Sequence, residues 1–434
     1  MKISALNRDI LRLMLPAVAA NITVPLLGLS DTALTGHLGD EVYIAAIAAG
    51  GMMLNVIYWI FGFLRMATTG LTAEAYGAHD ADAQRCVFSR SALLAIIAGV
   101  SAILMRQPLC SLLVSLIGAG EHVAALASQY FYICILGAPA MLLTMSINGW
   151  FIGNQNTVRP MAVALSVNII NIALSITGVV VFRLGFEGVA YGTLCATWAG
   201  VVIAVAMVLR KHSVAVLWCG WSELLSGGAL RKFFNVSGEL FLRSFCIMGV
   251  TLALTAYGAQ LGDLTLAVNA VMMQFFMFFS YFVDGLAFSG EALCGKNAGA
   301  RNTGAVMDVV RAINIWGGCM AVTATVVYAT IQRQAVALLT DVEAVRAGVE
   351  QISYFVWLLP VVSVAAFLYD GFFIGLTATR RMLVVTATAT AIFFAIITIC
   401  PKSNLTLWWA FLSYLFTRGM GLALQLKSVV KRLD

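Results

Sequence analysis

The sequence predicts an all-α polytopic membrane protein, with twelve transmembrane helices in two pseudo-symmetric six-helix lobes. Three observations carry that prediction. First, the 434 residues are 61% apolar and only 11% charged, with a mean hydropathy of +0.93. That leaves too little polar surface for a soluble protein of this length. Second, the apolar runs are long and continuous. Each approaches the about 20 residues that cross ~30 Å of hydrocarbon. The alternation of an outer-membrane barrel strand is missing, so the runs read as helices. Third, the chain repeats itself. Gly149-Trp-Phe-Ile-Gly153 returns as Gly371-Phe-Phe-Ile-Gly375, 222 residues later. The same offset pairs Thr157 with Thr379, Arg159 with Arg381, and Gly77-Ala78 with Gly299-Ala300. Pro139 and Pro360 pair within one residue. Leu34-Thr35 and Leu254-Thr255 pair at an offset of 220, so a small insertion lies between. A repeat of half the chain makes two equivalent units.

In chain order the spans of the first half are 8–35, 43–71, 86–107, 122–152, 158–182 and 187–210. Those of the second are 232–258, 264–292, 304–332, 344–375, 380–400 and 404–426. The amino end, MKISALNRDILRLMLP, has basic residues and then a long apolar run, which reads as a retained first helix rather than a cleaved signal. The loops fix the orientation. With both termini and the even-to-odd loops on one side, that side collects 18 Lys and Arg against 5 on the other, and three (Arg65, Arg243, Arg418) fall within spans. The positive-inside bias puts both termini in the cytoplasm and favours an even number of spans. The expected organisation is an amino-terminal lobe over 1–212, a cytoplasmic linker over 213–230 and a carboxyl-terminal lobe over 231–434. Six is even, so the lobes have parallel topology, related by an axis along the membrane normal. The linker stretch Ser213 to Gly228 holds two tryptophans and one charge. It suits either the membrane interface or a plain connection.

Polar residues inside the spans are the candidates for function, because hydrocarbon gives them no water. Asp31 stands in NITVPLLGLSDTALT, 19 residues past Arg12, hence ~28 Å along the first helix and in the outer half of the membrane. A charge there costs ~2.5–3.5 kcal/mol by insertion scales, so the carboxyl is expected to face protein or a wet cavity, or to be protonated. Pro25 lacks the N–H of a helical turn and permits a kink below Asp31, either a static one or a hinge. In the fifth span Asn168, Asn171 and Ser175 share one helical face. Thr193 of the sixth span lies at the same depth. The alternative is that these amides and hydroxyls only join helices.

The second half carries different groups. Arg243 is 11 residues beyond Lys232 and Asp284 is 12 before Lys296, so matching depth predicts an Arg243–Asp284 pair, structural or functional. Asp370, in LYDGFFIG, is a candidate second cation or gating site. Glu239 and Glu291 fall near the cytoplasmic ends and read as solvated. The stretch Met272 to Phe282 offers Met and aromatic rings that suit flat, lipophilic cations or simply lipid. The nine cysteines are singletons without a CxxC pair, and the four histidines form no ligand cluster. Without a P-loop and without a catalytic or metal motif, no catalytic residues, metal or cofactor are expected. An ion gradient is the expected energy source.

The stretches NITVPLLGLSDTALTGHLG, FLRMATTGLTAEAYGA, AVNAVMMQFFMFFSYFVDGLAFSGEA and LYDGFFIG resemble the multidrug and toxic compound extrusion (MATE) transporters, and among them the DinF-like branch. The likeness covers nearly the whole chain. It implies a MATE-like fold and export of lipophilic, often cationic compounds in exchange for H+ or Na+, with the first-helix aspartate, here Asp31, as the coupling carboxylate. Asn171 and Thr193 match the polar network around it. Some relatives carry an aspartate where this chain has Ser175, and the seventh-helix acid of sodium-coupled relatives has no evident match, which favours a proton over sodium. The expectation is therefore a monomeric proton-coupled multidrug antiporter of the bacterial cytoplasmic membrane, working on small lipophilic or cationic molecules without nucleic acid. The competing readings are sodium coupling, a flippase for lipids or lipid-linked precursors, and a membrane enzyme.

Overall fold

The computed structural model describes residues 3–36, 41–118, 120–210 and 218–433; the side chains of 3–4, 24–33, 35–36 and 41 lie outside that description. Twelve long helices carry the described residues. They are α1 (Ile3–Gly36), α2 (Val42–Gly77), α3 (Ala81–Leu104), α4 (Glu121–Gly153), α5 (Val158–Val181) and α6 (Phe186–Leu209), followed by α7 (Gly227–Gln260), α8 (Asp263–Gly299), α9 (Thr303–Leu339), α10 (Ser353–Gly375), α11 (Thr379–Ile399) and α12 (Asn404–Val430). The shortest, α11, has 21 residues, which at ~1.5 Å per residue reaches across ~30 Å of hydrocarbon. No strand occurs among the described residues. The expected all-α, twelve-helix membrane fold is the one found. Outer faces carry exposed Ile97, Val202, Leu242, Val384 and Phe416. Such surface is a liability in water and the norm against lipid.

Several helices run past the expected spans, α2 to Gly77, α8 to Gly299 and α9 to Leu339, and two stretches differ in kind. The sequence reading places 108–121 between spans, but Arg106–Ile117 forms a helix. It stops at Gly118, whose φ of 65° is the left-handed turn that glycine adopts without a Cβ clash. The tenth span was expected to begin at 344, yet Glu343–Gln351 is a separate helix before α10. Its Val345 and Val349, four residues apart, are buried, while Glu343 and Glu350 are exposed. That is the pattern of an amphipathic surface helix, not of a span.

By contacts the chain divides into two units, one of residues 19–72 and 80–237, the other of residues 1–18, 73–79 and 238–434. Within the first unit α4 packs on α2, α3 and α6, and α5 packs on α6. Within the second, α10 packs on α8, α9 and α12, and α11 packs on α12.

The repeat is visible in this packing. A Cβ on Gly149 or Gly153 of α4 would come within 2.5 Å of the Arg65 carbonyl and 2.8 Å of the Thr69 carbonyl of α2. A Cβ on Gly371 or Gly375 of α10 would come within 2.5 Å of the Ala287 or the Glu291 carbonyl of α8. All four contacts are displaced by the same 222 residues. The turns repeat too. Asp80 caps α3 by accepting from Ala83 N, and Asn302 caps α9 by accepting from Ala305 N. His79 and Arg301 both take a positive φ, as do Gln155 and Thr377. Finally, the ends of α2 and α8 cross with reciprocal glycines. A Cβ on Gly77 would lie 1.8 Å from the Lys296 carbonyl oxygen, and one on Gly299 would lie 1.9 Å from that of Glu74.

Candidate functional site

The first unit holds its polar group where α5 and α6 approach each other at glycines. Gly192 of α6 faces the Ser175 backbone, and Gly178 of α5 faces Gly188 of α6. This closeness lets short polar side chains meet across the seam. The Asn171 amide donates to Thr193 Oγ1 at 2.9 Å, and Thr193 Oγ1 donates in turn to the Val189 carbonyl at 3.0 Å. Asn168, one turn earlier on the same face, donates to the Thr23 carbonyl of α1 at 3.2 Å. Two buried oxygens, Asn171 Oδ1 and Ser175 Oγ, have no hydrogen-bond partner. Burying such groups unsatisfied costs about 1–3 kcal/mol each, so they invite a ligand or a proton-bearing group. The predicted set Asn168, Asn171, Ser175 and Thr193 is thus brought together. Asp31 and Pro25 stand on α1, which is an unbroken helix through Pro25; their side chains lie outside the described residues. Gly192→Ala would put a methyl 2.4 Å from Ser175 Oγ and 2.7 Å from Ser175 N. We expect it to destabilise the protein by about 1–3 kcal/mol, read as a lower melting temperature in detergent; an unchanged value would contradict this tight seam.

The second unit builds its polar group elsewhere. Asp370 of α10 is buried, and its Oδ2 accepts from both Arg243 Nη2 of α7 and Arg418 Nη2 of α12. Arg418 Nη1 also donates to Tyr414 Oη at 3.2 Å, one turn away, and its guanidinium lies 5.2 Å from the Tyr414 ring centre. The structure thus pairs Arg243 with Asp370, a carboxylate that matching depth did not single out for it. Depth along a helix fixes height, whereas the partner is set by which faces meet, and α10 packs between α8 and α12. Asp284 is half-buried on α8. Two guanidiniums already occupy the Asp370 carboxylate, an arrangement that repels a metal ion. The repeat places Asn148, Phe393 and Leu415 opposite Asp370, Asn171 and Thr193 respectively, so the two halves share a scaffold and not a site.

Other predicted positions fall as follows. Glu239 Oε2 accepts from Thr379 Oγ1. Glu291 is 2% exposed, against the expectation that it is solvated; Gly375 closes onto its backbone and excludes water. On α8, Met272, Phe275 and Phe279 are buried, Met277 and Phe278 are exposed, and Phe276 stands between Phe367 and Phe411. Cys86, Cys219 and Glu223 offer ligand atoms within 4.8 Å of one another. Glu223 is ion-paired with Arg85 at 2.9 Å, and Arg90 donates to the Leu224 carbonyl at 3.0 Å. These two cations disfavour a metal and instead dock the linker onto α3. Arg418 and Tyr414 are the residues that sequence reasoning left out of the site. The available signal was an arginine inside an apolar span, nine residues before Lys427.

Comparison with known proteins agrees with this architecture. The family model MatE matches residues 16–177 and 240–399. The DNA damage-inducible protein F of Escherichia coli (strain K12) is 35% identical over 425 residues, covering 96% of this chain and 91% of its own. The probable multidrug resistance protein NorM of Thermotoga maritima is 24% identical, over 71% of this chain and 67% of its own. Among solved structures, that of the Vibrio cholerae MATE transporter VcmN in the bent form superposes with a TM-score of 0.87 at 19% identity, covering 99% of this chain and 98% of that one.

Proposed function

Because the chain belongs to the multidrug and toxic compound extrusion (MATE) family, we propose that it is a secondary active antiporter that exports lipophilic and cationic compounds in exchange for protons. Members of the family are transporters and not enzymes, and the chain is a multi-pass membrane protein. What remains to be assigned is the ion and the residues that couple it.

The observation that supports a proton is the pair of buried, unpartnered oxygens at Asn171 Oδ1 and Ser175 Oγ. Asn171 has committed its Nδ2 to Thr193, so its free oxygen only accepts. A protonated carboxylic acid donates to such an oxygen, whereas a carboxylate accepts from a serine hydroxyl. One neutral lining therefore serves both states of a single acid, and Asp31 on α1 is the acid we assign to it. Asn168, Asn171, Ser175 and Thr193 add no second carboxylate, while a bound cation calls for several oxygen ligands and a counter-charge. In this reading protonation of Asp31 from outside lets α1 bend at Pro25, collapses the substrate cleft that we propose beside Asn171 and Ser175, and expels substrate. Release of the proton to the cytoplasm resets it. A relative of the same fold is described in a bent form, which supports a bend as a state the fold can take. No cofactor enters the cycle. The protein is proposed to sit as a monomer in a bacterial cytoplasmic membrane with both termini inside, as the Lys and Arg bias implies.

Efflux from proteoliposomes tests this reading. Asp31→Asn is expected to abolish efflux driven by a pH gradient. Unaltered coupled transport in that variant would refute the role of Asp31. Efflux driven by a sodium gradient alone at constant pH would replace the proton by sodium.

A further inference from the structure

The helix Arg106–Ile117 owes its separate start to Pro108. A proline ring clashes with the carbonyl four residues back, here that of Leu104, and brings no N–H to bond it. Accordingly α3 ends at Leu104, turns at Met105 with φ −90° and ψ 12°, and a new helix begins at Arg106. Its 12 residues reach only ~18 Å at ~1.5 Å each, too short to cross ~30 Å of hydrocarbon. Three spans precede it. It therefore stands at the face of the membrane opposite the amino terminus, the outer face in the orientation proposed above.

At 3.6 residues per turn its side chains fall into three sectors roughly 120° apart. In the first, Cys110 and Leu113 are buried, and with Leu109, Val114 and Ile117 they join a core that includes Ala46 of α2 and Tyr130 of α4. In the second, Gln107, Ser111 and Ser115 are polar and exposed. In the third, Leu112 and Leu116, one turn apart, are 56% and 71% exposed. A helix between protein and water needs only two sectors, one apolar and one polar. A third sector that is both apolar and open calls for a third neighbour.

The chain reaches this helix along a lipid-facing surface. Ile97, Val100 and Leu104 follow one another on one face of α3, at spacings of three and four, and all are exposed, as is Met105 at the turn. Next comes Arg106, also exposed, whose guanidinium lies 6.0 Å from the centre of the Tyr132 ring of α4. Arginine heads and tyrosine rings gather at the level of lipid headgroups.

We propose that Arg106–Ile117 lies in the plane of the membrane interface, with Leu112 and Leu116 among the acyl chains of the outer leaflet and Gln107, Ser111 and Ser115 toward water. The partner of the leucine face is phospholipid and not a second protein. The same helix packs on α2, α3 and α4, so its lipid face fastens the ends of three helices of the first unit to one leaflet.

Photo-crosslinking of the full-length protein in phosphatidylcholine vesicles is the test. p-Benzoylphenylalanine, which inserts into neighbouring C–H bonds, replaces Gln107, Ser111, Leu112 or Leu116 singly, and Ile97 of α3 as the lipid-facing reference. All five side chains are exposed, so the fold is expected to persist. Mass spectrometry then reads the yield of lipid adducts at each position. Leu112 and Leu116 are expected to match Ile97, with Gln107 and Ser111 at least about tenfold lower. Equal yields at the four helix positions, or higher yields at Gln107 and Ser111 than at the leucines, would overturn the proposal. Protein–protein adducts at Leu112 and Leu116 in place of lipid adducts would overturn it too, because they would give the face to a protein partner.

Discussion

Alanine at Gly77 or at Gly299 is expected to prevent the protein from accumulating in folded form. The added Cβ would stand 1.8 Å from the Lys296 carbonyl oxygen in one case and 1.9 Å from that of Glu74 in the other. The obstacle is main chain held in a helical ladder, so no side-chain rotation relieves it. Overpacking a core costs about 1–3 kcal/mol when neighbours can shift, and more when they cannot. The net stability of a domain is only about 5–15 kcal/mol, so either substitution removes a large share of it. Gly51→Ala is the matched control, because a Cβ there meets nothing within 4 Å. Fluorescence-detected size exclusion should show a monodisperse peak for the control and loss or aggregation for the other two. Normal peaks with unchanged melting temperatures in Gly77→Ala and Gly299→Ala would show that the two helices do not cross as described.

The second large effect concerns the buried charges of α7, α10 and α12, and it should be asymmetric. Asp370→Ala leaves Arg243 and Arg418 without the carboxylate they share. Breaking a buried ion pair by deleting one partner costs about 3–5 kcal/mol, because the remaining charge stays desolvated. Arg418→Gln instead reduces three charges to a neutral pair, and the expected change is small, within about 1 kcal/mol in either direction. Melting temperatures in detergent should therefore fall sharply for the aspartate variant and little for the arginine variant. The reverse order would mean that Arg418 answers to an anion other than Asp370.

The long apolar segments were legible because a bilayer imposes one solution on them, a helix of about 20 residues or more. The repeat was legible because glycines pinned by a facing carbonyl tolerate no replacement; Gly149, Gly153, Gly371 and Gly375 are of this kind. The helix Glu343–Gln351 was not, because only Glu350 and Gln351 separate Val349 from the apolar run of α10, and that short polar break reads as part of one span. The α5–α6 group was readable from spacing on one helix plus matched depth on the next. The pairing of Asp370 with Arg243 and Arg418 was not readable in that way. Height is a one-dimensional quantity, and both Asp284 and Asp370 lie on helices that pack against each other. Which carboxylates face a given arginine depends on the rotation of each helix about its axis, which depth along the helix does not give.

The crossing of Gly77 with Lys296 and of Gly299 with Glu74 has a further consequence. Gly77 meets Lys296, the repeat-equivalent of Glu74, and Glu74 meets Gly299, the repeat-equivalent of Gly77, which is the form of a contact between identical subunits in a two-fold homodimer. In a dimer of six-helix chains one substitution would enter such a contact twice. In a single chain carrying both copies it enters once, and the other copy can keep the contact while the first drifts. Fusion of the halves thus halves the mutational load on the junction. It also frees the two sides to acquire unlike chemistry, an amide and hydroxyl lining around Asn171 in one half and a pair of arginines on Asp370 in the other.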